Sequence, residues 1–269
     1  MAYLEVEDSR RIYYEHHAGP GRPVVLVHGW GVTGRCWDTV LPALLANGNE
    51  VVVIDQRCCG RSDKDFADVS IDALGSDVVR VVEALGLRKP VLNGWSLGGA
   101  VVVDAAAKLG ANLGGLVLTG GATPRYTSCE DWPYGGSPAD LEATLAAIGG
   151  NRAEVLKGVA GAVCHTDVGQ ATVDWMWLMF LEAGPRADES LRDLGRVDQR
   201  ETIATLDVPV LLLAGRHDTF VPFDAIKTSA GMFPKARLVA FEETGHAPFL
   251  EEGEKYRSEL LAFLNGLDG

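Results

Sequence analysis

Nothing in this sequence approaches the roughly 20 consecutive apolar residues that a membrane helix needs, so a spanning segment is excluded. Positive charge is also scarce. Lys and Arg number 24 against 37 Asp and Glu, a net charge of −13. So acidic a chain argues against nucleic acid and against anionic membrane surfaces as partners. Residues 1–8 are acidic and lack the basic head and apolar middle of a secretory signal. Cysteines are few: five, two of them adjacent at Cys58 and Cys59. An odd count without paired spacing fits neither a disulfide framework nor a zinc site. A reducing cytoplasm is the expected setting. No ligand cluster points to a metal, and no organic cofactor is expected. Internal repeats, low-complexity tracts and charged tails are missing too.

What is there is ample apolar material. Of 269 residues, 47% are hydrophobic, enough for one domain, or one domain carrying an insertion. Residues 4–6 and 11–16, joined by a turn at 7–9, read as a β-hairpin. Short β-branched runs follow at 24–28, 51–55, 91–93, 116–119, 210–214 and 237–241. Helical patterns lie at 37–46, 71–85, 97–109, 224–232 and 254–265. Continuous apolar strands alternating with amphipathic helices predict an α/β fold, a mostly parallel sheet covered on both faces. Ligands of such sheets bind beyond the carboxyl ends of the strands. Residues 122–206 differ in character. They hold no good strand, but helical patterns at 138–148, 152–163, 168–183 and 187–200. Both ends return to the sheet, so a helical cap is expected, inserted into a core of residues 1–121 and 207–269.

Residues 94–98, Gly94-Trp95-Ser96-Leu97-Gly98, join an apolar run to a helical one. This is the G-x-S-x-G elbow in its strand–turn–helix setting. The chain must turn sharply with serine at the apex, and a side chain two residues to either side would strike neighbouring backbone. A serine hydroxyl is a poor nucleophile at neutral pH; it needs a base, and the base needs an orienting acid. His246, in a loop after the last strand, is the candidate base. Asp218, after the run at 210–214, is the candidate acid. A rival acid position after the run at 116–119 holds Gly120-Gly121-Ala122, with no carboxylate. His16 and His17 are expected to be exposed hairpin residues and His217 a loop neighbour of Asp218. His165 is a weaker candidate for touching substrate. The developing oxyanion needs two amide donors: Leu97, after the nucleophile, and Trp30, in the loop after the run at 24–28. His28 would pin that loop through its ring.

With these residues in place the chain resembles an α/β-hydrolase of the esterase–lipase superfamily, nearly end to end. His28-Gly29-Trp30-Gly31, the segment Asp55 to Ser62, Gly94 to Gly99, Gly215-Arg216-His217-Asp218 and Gly245 to Phe249 fall in the family's order. The family normally has glycine where Cys58 stands and commonly proline where Gly253 stands; neither position touches the chemistry. The resemblance is to small carboxylesterases, lactonases and cofactor-free haloperoxidase-like esterases. The elbow is also similar to that of pimeloyl-carrier-protein methyl esterases. It implies the α/β-hydrolase fold and a serine hydrolase with Ser96, Asp218 and His246 as catalytic residues.

The segment 122–206 carries large apolar groups, Trp132 and the run 175–180 among them. Trp95, Trp132, Trp175, Trp177 and Phe180 are the candidate pocket residues, the alternative being that the aromatic run is the cap's own core. The expected substrate is a small to medium apolar carboxylic ester. Arg192, Arg196 and Arg200 recur every fourth residue, as a basic stripe on one helix or as an ion-paired, solvated face with Asp188 beside Arg192. The same residues could serve a lactonase, a carbon–carbon bond hydrolase or a perhydrolase, or persist in a receptor without turnover.

Overall fold

The apolar runs all become strands of one sheet in the computed structural model, which describes residues 1–267. The strands are β1 (Ala2–Glu7), β2 (Arg10–His17), β3 (Gly21–Val27), β4 (Asn49–Asp55), β5 (Val91–Trp95), β6 (Gly115–Thr119), β7 (Val210–Gly215) and β8 (Ala236–Phe241). Their order across the sheet is β1-β2-β4-β3-β5-β6-β7-β8. β2 runs antiparallel to both neighbours, and β3 to β8 are parallel. Asp8 and Ser9, both at positive φ (34° and 68°), close the β1–β2 hairpin, the twist a two-residue turn favours.

Parallel strands need crossovers, and helices supply them: α1 (Leu41–Ala46), α2 (Ile71–Ala84), α3 (Leu97–Leu109), then α4 (Pro138–Gly150), α5 (Arg152–Ala162), α6 (Gln170–Leu181), α7 (Ala187–Leu194) and α8 (Arg200–Thr205) between β6 and β7, and finally α9 (Phe223–Ala230), α10 (Pro248–Glu251) and α11 (Gly253–Asn265). Alternate residues of β3 enter opposite cores. Val25 and Val27 pack with α2 and α3, while Val24 and Leu26 pack with Trp37, Tyr256 and Leu260. Both faces are therefore dry, which is why the strands read as unbroken apolar runs.

Two helices differ from expectation. The pattern at 37–46 splits into a 3₁₀ turn, Gly34–Thr39, and α1. Pro42 lacks the N–H that a continuous helix would need there. The pattern at 187–200 splits into α7 and α8. Gly195 ends α7 so close to α4 that a Cβ there would run into Leu141. The three arginines therefore form no stripe. Arg192 pairs with Glu142 and Glu189, and Arg200 with Asp131 and Asp198. Asp188 pairs with Arg152 at 2.8 Å instead of Arg192.

Candidate active site

The turn from β5 into α3 is as tight as its glycines suggest. Ser96 takes φ 56° and ψ −123°, a conformation costly for a side-chain-bearing residue. A Cβ on Gly94 would run into the Gly98 carbonyl, and one on Gly98 would lie 2.5 Å from the Val27 and His28 carbonyl oxygens. The apex is tied down from its backbone. Ser96 N–H donates to Thr119 O at 3.1 Å, and Ser96 O accepts from Gly99 and Ala122, both at 2.8 Å. Its hydroxyl does not cap α3.

The β7 and β8 ends bring Asp218 and His246 together. His246 Nδ1 lies 2.7 Å from Asp218 Oδ2, and both residues are buried. Asp218 Oδ1 accepts from the Phe220 and Val221 amides, each at 2.9 Å, so both carboxylate oxygens are engaged. Nδ1 being committed, Nε2 is the ring nitrogen available to a hydroxyl. Gly120, at the rival acid position, sits against this pair: its added Cβ would be 3.2 Å from His246 Nδ1. The Trp95 indole donates to His246 O at 2.8 Å, and the Trp95 and Phe220 rings flank the imidazole.

His246 is also held from the α5 side. Its N–H donates to Val163 O at 2.8 Å. One carboxylate, Glu251, accepts from Gly245 N–H (2.9 Å), His165 N–H (2.7 Å), Thr166 N–H (2.9 Å) and the Thr166 hydroxyl (3.1 Å). The exposed His165 and His217 rings stack across the same joint at 3.8 Å. Neither reaches the cavity. His16 and His17 are half-buried rather than exposed, and His16 pairs with Glu50 of the neighbouring β4 at 2.7 Å.

The β3 loop closes on the elbow. A Cβ on Gly29 would be 3.2 Å from Ser96 Cβ. His28 fixes this loop: Nδ1 lies 2.7 Å from Gly29 O and Nε2 accepts the Gln56 amide at 2.9 Å. Full burial pushes its pKa down, so the ring is neutral. The Trp30 and Leu97 amides have no protein acceptor among the described residues. Ser96, His246, Trp30 and Leu97 all line one cavity of about 330 Å³. No group of three or more His, Cys, Asp or Glu able to hold a metal occurs among the described residues.

Residues 24–259 match the family model for the alpha/beta hydrolase family. The chain belongs to that family. This hydrolase is 29% identical, over 98% of itself and 99% of the relative, to a non-heme chloroperoxidase of Streptomyces lividans. It is 30% identical to a pimeloyl-[acyl-carrier protein] methyl ester esterase of Stenotrophomonas maltophilia, over 93% and 95% of the two chains. Among solved structures it superimposes on an esterase from Exiguobacterium antarcticum with TM-score 0.95, at 26% identity over 98% and 99% of the chains.

Of the predicted pocket residues, the hydrolase places Trp95 and Phe180 on the cavity wall. Trp132, Trp175 and Trp177 are elsewhere. Trp132 is buried against Tyr134 and donates to Arg125 O at 3.1 Å. Trp177 donates to Ala153 O at 2.9 Å, with Lys157 over its ring. Trp175 packs, half-buried, in the core shared with α5. The rest of the apolar wall lies outside the run 175–180 and Trp132. Val159 and Val163 come from α5 and the residue just beyond it, Leu191 and Leu194 from α7, and Tyr126 and Phe220 from loops. Their spacings of four and three mark single helix faces, and Phe220 follows the acid by two residues.

Proposed function

We propose that this hydrolase cleaves carboxylic esters of small to medium apolar substrates through an acyl-enzyme at Ser96. His246 Nε2 takes the Ser96 proton as Oγ attacks the carbonyl carbon. The Trp30 and Leu97 amides stabilise the oxyanion. His246 then returns the proton to the leaving alcohol, and water, activated by the same ring, releases the acid. Asp218 keeps the imidazole in the required tautomer. The observation that carries this reading is the buried Asp218–His246 bond opening onto the same cavity as the strained Ser96. Residues 122–206 act as a helical cap over a core of 1–121 and 207–269, and the apolar wall favours neutral substrates. The free cysteines fit a reducing cytoplasm.

An organophosphonate should add a single group, at Ser96, and Ser96→Ala should lower kcat by about 10⁴-fold or more. Labelling elsewhere, or an undiminished Ser96→Ala turnover of p-nitrophenyl esters, would overturn the assignment. The chloroperoxidase relative favours one second reading. Hydrogen peroxide would replace water in deacylation and leave as the peracid, which is measurable by halide oxidation with acetate and peroxide supplied.

A further inference from the structure

The side-chain donors on the cavity wall are almost all spent within the protein. Trp30 Nε1 donates to Ala187 O (3.0 Å), Trp95 Nε1 to His246 O (2.8 Å), the Thr127 hydroxyl to Gly195 O (2.7 Å) and the Thr144 hydroxyl to Asp140 O (2.9 Å). The Ser137 hydroxyl is engaged with Asp140 at 2.8 Å. Thr219 is exposed, so water satisfies it. Ser96 is the proposed nucleophile. That leaves Tyr126, whose phenol has no hydrogen-bond partner among the described residues although its ring packs against the core.

Tyr126 is half-buried and its hydroxyl stays within reach of solvent, so in the free enzyme water, not protein, meets it. Asp218 does not accept from it; that carboxylate's two oxygens are held by His246, Phe220 and Val221. Burial and the nearby Asp218 charge both push the phenol pKa up, so Tyr126 stays protonated and acts as a donor. Tyr126 lines the cavity that Ser96 and His246 share, so an ester bound there displaces the water that its hydroxyl meets in the free enzyme.

We propose that Tyr126 is a specificity-determining donor which selects esters carrying an additional acceptor oxygen, ether or hydroxyl, beyond the ester group itself. This rests on the ester-hydrolase reading of the Ser96 site. A cavity that presents an unpaired donor disfavours a purely hydrocarbon occupant, because the donor stays unsatisfied.

The test compares 2-methoxyethyl acetate with butyl acetate, which have the same shape and differ by one oxygen. Initial rates are followed by pH-stat for wild type and Tyr126→Phe, with the melting temperature confirming that the variant is folded. The kcat/KM ratio of methoxyethyl to butyl ester should fall about tenfold in Tyr126→Phe, the worth of one such hydrogen bond. A tenfold Tyr126-dependent ratio found instead between p-nitrophenyl methoxyacetate and butyrate upholds the donor and places it beside the acyl half. Ratios unchanged within twofold in both pairs overturn the proposal. Calorimetric affinities of Ser96→Ala and Ser96→Ala/Tyr126→Phe for the two acetates separate the two readings. If wild type hydrolyses neither ester, the hydrolase reading falls, yet a tenfold Tyr126-dependent affinity ratio still upholds the donor. No such ratio overturns it.

Discussion

The two walls of the cavity are built under different constraints. At the strand ends, backbone runs against backbone: a methyl group on Gly94, Gly98 or Gly29 would meet the elbow or the β3 loop, and Gly120 abuts the Asp218–His246 pair. On the solvent faces of α4 and α5 a Cβ added to Gly149, Gly150, Gly158 or Gly161 would meet nothing within 4 Å. The strand ends form a frame with no slack, and the helices between β6 and β7 have slack on their outer faces. A protein so arranged can change what it accepts without disturbing how it reacts.

The sharpest challenge to that contrast is on the strand-end side. Asp218→Asn should keep the fold and lose about 10⁴-fold in kcat through the wrong imidazole tautomer, measured with a p-nitrophenyl ester. Full activity would mean that another carboxylate orients His246.

Next come the aromatics of α6. Phe180→Ala and Trp177→Ala should each lose up to about 3–5 kcal/mol to urea, less where the ring is half-exposed. Only Phe180→Ala should change the dependence of kcat/KM on ester chain length, extending it to longer groups, because Trp177 bonds to α5 and lines no part of the cavity. An extended profile in Trp177→Ala would dissolve the distinction between wall and cover.

A smaller effect concerns His28. Its folded pKa lies below the ordinary value of 6.5, so the unfolded chain binds the proton that the folded chain refuses. Stability is retained above that value and is lost as pH falls below it, by at most about 1.4 kcal/mol from pH 7.5 to 5.5 for this group alone. Denaturant midpoints of wild type and His28→Gln across that window should converge on the acid side; parallel curves would contradict it.

The smallest effect tests the slack itself. Gly158→Ala, in the exposed interior of α5, should stabilise by roughly 0.5–1 kcal/mol, a rise of a few degrees in Tm, with kcat/KM unchanged. A loss of stability there would show that the α5 side is as crowded as the elbow.

The contrast also explains what the sequence made legible. Close backbone contact leaves few residue types permissible, so Gly94, Gly98, Gly120 and the order Ser96, Asp218, His246 stand out in the chain. Helices of the cover were equally visible as helices, since Ser137 and Asn151 cap α4 and α5. Which face of each turns inward was not. Residues 175–180 are apolar nearly all round, and such a run carries no orientation. Of the two readings of Arg192, Arg196 and Arg200, the basic stripe is ruled out by the stop at Gly195 and the ion-paired face holds for Arg192 and Arg200, while the expected helix at 37–46 failed at Pro42.

The Glu251 carboxylate gathers four donors from the His246 loop and from residues 165–166. Lifting residues 163–166 would break three of the four contacts at once, and the His246 N–H···Val163 O bond with them. Gly136, Asp140 and Thr144, on the same cavity, are exposed. His246 is thus riveted to residues 163–166, while another stretch of the cavity rim stands open to solvent.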